Sequence, residues 1–214
     1  MIYTSDRRLS IAHWLEKESP EEFHISLKLQ KYLFFYEAFS KVLDKDGSFA
    51  RLKGYENGPV FSEVYGDYTY RKDEFVNAVR KSDVRNVEIE IAKKAGFLVK
   101  IMVENELSEI THNLSVWNDK SDQILSGQKQ VELSEEITDS DEEFLLQLIN
   151  IYDENEIDNS EVVSVGNKNF VFSKIDFIKI NKVHKETLAK LAHVDELVNP
   201  IFVSIGEAGE LLVD

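Results

Sequence analysis

The chain has 214 residues, 43% of them hydrophobic and 11% aromatic, enough to close the core of one large domain, or of one domain with an extension, without crosslinks. It has no cysteine, which excludes disulfides, thiol nucleophiles and cysteine-held metal sites; no apolar run approaches the ~20 residues of a membrane span, and Met1 to Arg8 lacks a signal-peptide layout, so we expect a cytoplasmic chain with no membrane partner. The formal charge of -15 is lopsided, with 18 basic and 20 acidic residues in 1–120 against 7 and 20 in 121–214, an excess that argues against nucleic-acid binding and for a basic protein partner.

In chain order, Leu9, Ala12, Trp14 and Leu15 predict a short helix capped from Ser5-Asp6. Ser26 then opens a run through Leu27, Leu29, Tyr32 to Ala38, Phe39 and Val42-Leu43, apolar around most of its circumference, which predicts a helix buried on more than one side. Phe49 to Tyr55 reads as irregular or extended. Gly58-Pro59 predicts a turn, with Pro59 in the first turn of a helix from Val60 to Tyr68, and another helix is expected over Asp73 to Lys81. Val84, Val87, Ile91, Ala95, Leu98 and Met102 step by three and four and predict one helix, followed by a helical turn from Leu107 to His112.

The stretch 122–161 holds 13 carboxylates and the single cation Lys129, which also fits a plain solvated face. Inside it, Ser140 to Glu143 has capping-box spacing ahead of Phe144, Leu145, Leu148 and Tyr152, so a helix is expected near 141–153. Beyond Asn159 the period changes. A hairpin is expected near 161–173 around Gly166-Asn167, a helix near 184–198 ending at Asn199-Pro200, and a terminal hairpin near 201–213 around Gly206 to Gly209. The expected class is α+β and predominantly helical: a compact helical body over 1–120 and a smaller mixed section over 121–214 containing β-hairpins.

The five histidines are scattered, none at the i, i+4 spacing of a helical metal site, and phosphate-loop, dinucleotide and nucleophile-elbow motifs are missing; no cofactor or metal is expected. Two segments have a composition that periodicity does not explain. Gly54 to Tyr65 crowds glycines and Pro59 among Tyr55, Phe61 and Tyr65, rings with polar tips that suit an interface as well as a core. Glu106 to Trp117 sets Ser108, Thr111 and His112 close together, but helical neighbours point apart and make no triad, so His112 is expected to be a hydrogen-bonding group within the fold.

These segments, with Lys28-Leu29-Gln30-Lys31 before them, resemble the Panacea domain family, the SocA-like antitoxin domain. Its pattern runs Lys-Leu-Gln-Lys, then an aromatic three residues before Gly-Pro-Val, then Glu-Val-Tyr, then Leu-Ser-x-x-Thr-His-x-x-x-x-Trp. Here the positions are Gln30 and Lys31; Tyr55, where Trp is usual; Gly58, Pro59 and Val60; Glu63, Val64 and Tyr65; and Leu107, Ser108, Thr111, His112 and Trp117. Ser62 stands where Pro is common, and Leu114 and Val116 where Glu and Pro are common. The likeness covers residues 8–120.

The resemblance implies an antitoxin that binds and neutralises a cognate protein toxin, some relatives delivering it to a Clp-type protease. It makes those motif residues the candidates for partner binding, with no catalytic role. The alternative it leaves open is a phage or mobile-element regulatory or scaffold protein with the same domain and no toxin partner. A hydrolase built on His112 lacks a nucleophile that can be named.

Overall fold

A computed structural model describes residues 1–214, which form a predominantly helical α+β fold of two compact units: Met1–Val99 with Glu104–Ile151, and Lys100–Val103 with Tyr152–Asp214. No helix is long and apolar enough to cross a membrane.

The first unit is organised around one helix. α1 (Asp6–Glu18) is capped by Ser5, whose side chain accepts from the Arg8 amide, and is followed by the single turn α2 (Pro20–Phe23) and by α3 (Ser26–Val42). Every residue of α3 from Lys28 to Ser40 is buried, as expected of a helix apolar around most of its circumference. Next come β1 (Leu52–Tyr55), β2 (Gly58–Phe61), α4 (Ser62–Tyr70), α5 (Lys72–Lys81) and α6 (Ile89–Ile101). α7 (Glu104–His112), α8 (Ser115–Asn118), α9 (Ser121–Leu125), β3 (Val131–Glu132) and α10 (Asp139–Asn150) complete it. α1, α2, α4, α7, α10 and β2 all pack on α3, and the sheet has the order β2-β1-β3.

In the second unit, α11 (Glu154–Asp158) leads into β4 (Ser160–Val165) and β5 (Lys168–Ser173); α12 (Lys174–Phe177) and α13 (Lys182–Leu191) cross over to β6 (Ile201–Ile205) and β7 (Leu211–Val213). The sheet order is β4-β5-β6-β7, antiparallel except for the parallel β5/β6 pair that the helical crossover permits. Phe170, Phe172, Leu188, Ala192, Ile201 and Val203 form its core.

Several elements differ from expectation. Pro59 does not start a helix: it sits in edge strand β2 opposite Gly54, where a residue without an N–H costs no ladder bond, and the helix begins at Ser62. The Val84 to Met102 stripe is helical only from Ile89, because Asp83 bonds the Arg85 amide at 2.8 Å and holds a turn that competes with the helix. α10 is capped by Thr138, not Ser140, and α13 stops at Leu191, the apolar residues that follow it lying in irregular backbone. The compact body runs past residue 120 to Ile151, because Val131 of β3 pairs with Gly54 of β1 and α10 packs on α3. The acidic stretch is therefore shared between the units.

Candidate functional site

The three motif blocks meet around the tight connection between β1 and β2. Gly58 has φ 108°, and a side chain there would collide with Lys31 Nζ and Thr111 Oγ1, so only glycine lets the strand lie against both. The Lys31 ammonium, 1% exposed, donates to the Asn57 carbonyl at 2.6 Å and to Thr111 Oγ1 at 2.6 Å. Ser108 Oγ donates to the same Asn57 carbonyl at 3.1 Å. Lys31 thus ties α3, the β1–β2 turn and α7 together. It has no carboxylate partner, and burial alone pulls its pKa down to about 7.

The neighbouring residues make further ties. Gln30 Oε1 accepts the Phe61 amide at 2.9 Å, filling a strand-edge donor. The Trp117 indole N–H donates to the Tyr55 carbonyl at 2.9 Å, and the His112 ring stacks on Trp117 with centroids 3.8 Å apart. Burial, then the Lys31 charge, lower the His112 pKa against a hydrogen bond to the Glu56 backbone; Nε2 is buried without a partner. His112 is held inside the fold, as its sequence position suggested.

An open cleft of about 450 Å³ lies over this framework, lined by Leu27, Gln30, Lys31, Tyr55, Pro59 and Tyr65 among others, with Glu56 and Glu104 also on its wall. The Tyr55 and Tyr65 rings stand 5.5 Å apart, and Tyr65 is 36% exposed. Burial raises the Tyr55 phenol pKa, with Tyr65 adding to it, so Tyr55 presents a neutral hydroxyl near neutral pH.

Glu63 lies apart from the cleft. It is buried 3.5 Å from Arg8 Nε, and Arg8 stacks over Phe61 at 3.8 Å while donating to the Ser48 and Ala50 carbonyls at 3.1 and 3.0 Å. Desolvation pushes the Glu63 carboxyl pKa up, against the pull of Arg8. Glu63 therefore secures the start of α4. Of the ten motif candidates, Gln30, Lys31, Tyr55, Pro59 and Tyr65 line the cleft, Gly58, Thr111, His112 and Trp117 support it, and Glu63 does neither.

Two residues of these networks, one at the cleft and one beside Glu63, were not singled out in the sequence. Asn57 acts through its backbone carbonyl, which leaves no trace in residue type. Arg8 is a charged residue buried on α1, and its position on the inward face beside Leu9, Ala12 and Leu15 is the signal that could have found it. Chemically, the arrangement positions groups: Thr111 is 0% exposed, so its hydroxyl reaches the Leu107 and Ser108 carbonyls and Lys31 but not solvent. Comparison with protein-family models, with curated proteins and with solved structures finds no match.

Proposed function

We propose that the protein is a cytoplasmic antitoxin that neutralises a cognate protein toxin by direct binding, and that the toxin anchors in the cleft walled by Tyr55 and Tyr65. One observation carries the reading: three motif blocks far apart in sequence, each part of the Panacea-like pattern, converge on one open cleft whose framework is fixed by buried hydrogen bonds. Binding that inactivates a partner needs a rigid, partly apolar site with aromatic anchors and a charged rim, and no proton transfer. Glu56 and Glu104 give this cleft an acidic wall that suits a basic toxin segment. Delivery to a Clp-type protease would be a later step, acting on the complex.

The test is co-expression with the product of the adjacent gene. Growth rescue together with a stable co-purifying complex is expected for the intact chain, and Tyr55→Ala/Tyr65→Ala should abolish both while leaving the circular dichroism and melting temperature close to those of the parent. Rescue without a complex, or full rescue by the folded double variant, would overturn direct neutralisation through this cleft.

A further inference from the structure

The second unit carries an apolar surface that its own core uses only in part, Val163 and Ile180 packing against the core while their neighbours stay exposed. Phe170, Phe172, Leu188, Ile201 and Val203 close that core, yet within nine residues Ile175, Phe177, Ile178 and Val183 are exposed by 69, 40, 81 and 66%. Single exposed apolar side chains are ordinary on any protein; four of them within nine residues, one of which, Phe177, lines a concavity, are not. The concavity, of about 420 Å³, is lined by Val162 and Val163 of β4 with Phe177, Ile180 and Lys185.

The surface is also pre-shaped. Ser173 caps α12 through the Asp176 amide at 3.1 Å, Asp176 pairs with Lys179 at 2.8 Å, and Asn181 and His184 close a reciprocal capping box on α13. Holding the exposed side chains on capped turns lowers the ordering cost of binding.

Its charge is opposite to that of the chain. Residues 168–190 contain six lysines against Asp176 and Glu186, in a protein of net charge -15. Asp176 is taken by Lys179, and Glu186 lies 3.9 Å from Lys182, which leaves Lys185, on the lining of the concavity, and Lys174, at the start of α12 next to Ile175, with no ion-pair partner. An apolar site rimmed by uncompensated lysines complements a segment with an apolar face flanked by carboxylates.

We propose that β4, α12 and α13 form a docking surface for an acidic amphipathic peptide segment of a partner protein, whose apolar side chains enter the Val162–Phe177–Ile180 concavity while its carboxylates pair with Lys174 and Lys185. A peptide is favoured over an anionic lipid surface because the site is concave as well as ridged, and a bilayer has no side chain to fill a concavity. The proposal stands on the second unit alone and does not depend on the toxin-binding reading.

The probe is a synthetic helical peptide of about five turns, with leucines at i, i+3, i+4 and i+7 positions and glutamates elsewhere, titrated into the full chain and followed by methyl NMR. Saturable shifts are expected at Val162, Val163, Ile175 and Ile178, weakening with salt. Lys174→Glu/Lys185→Glu should weaken binding about tenfold, the size expected from two exposed ion pairs. Ile178→Asp, at an exposed position that leaves the fold intact, should abolish it. Equal binding of a peptide with lysine in place of glutamate, shifts centred on other residues, no saturable shift, or binding to phosphatidylserine vesicles in place of the peptide would each overturn the proposal.

Discussion

In the first unit Arg8, Lys31, Glu37, Glu63 and Asp67 are all buried, whereas the second unit closes over phenylalanine, leucine and isoleucine and buries only Asn169 and His184 among its polar side chains. Taking charges out of water costs several kcal/mol each, so a unit that keeps them is less stable than an apolar one of equal size unless each finds its partners. Here the partners are mostly backbone groups of irregular segments. Asp67 accepts the Tyr3 and Thr4 amides at 2.6 and 2.7 Å and the Thr4 hydroxyl at 2.8 Å; Glu37 binds Arg7 through both oxygens and accepts the Ser48 amide at 2.9 Å. Buried charge in the first unit fixes loops, and at Lys31 it fixes the β1–β2 turn on which the cleft is built. The second unit needs no such fixing, because hairpins and a helical crossover define its shape.

This contrast can be broken or sharpened by substitution. Asp67→Ala strands buried amide donors and should destabilise the first unit by about 3–5 kcal/mol, read as a lowered urea midpoint at unchanged slope. Leu188→Ala, at the centre of the other core, should cost about 2–5 kcal/mol through cavity formation, with a transition reported by second-unit probes. Equal sensitivity of both transitions to both substitutions would erase the distinction drawn above.

A smaller effect separates charge from packing at Lys31. Its folded value near 7 lies below the ~10.4 of an unfolded lysine, so between those limits the unfolded chain binds more protons and stability from this group rises with pH, by up to about 1.4 kcal/mol per unit. The stability of the parent relative to Lys31→Met should therefore increase from pH 7 to about pH 9, as followed by thermal unfolding. A flat difference would mean that Lys31 is solvated in the folded protein.

Smaller still, Thr138→Ala removes the side-chain cap of α10 and should cost about 1 kcal/mol. At the bottom of the scale, reversing Asp139, Glu142 and Glu143 should alter stability by less than about 0.5 kcal/mol while slowing toxin association and flattening its salt dependence. Asp141 is left out of that set because it is buried and accepts the Ser115 amide at 3.0 Å.

The regular parts of both units were legible in the sequence: the apolar girdle of α3, the hairpin around Gly166 and the apolar face of α10, though not its cap, are local signals. What escaped was set by distant partners. Pro59 reads as a helix start until β1 pairs with it as an edge strand, and Val131 reads as part of a polar stretch until Gly54 pairs with it. At the cleft, residue types pointed to the right segments, but Glu63 was grouped with Tyr65 by sequence and is separated from it by direction: on α4 it turns inward to Arg8 while Tyr65 faces the cleft.

The central claim is that the Tyr55–Tyr65 cleft receives the toxin, and hydrogen exchange on the purified complex tests it most directly. Binding there should slow amide exchange across residues 55–60 and the first turn of α4, with little change in β4 to β7. Protection confined to the second unit, with exchange at residues 55–60 unchanged, would contradict it.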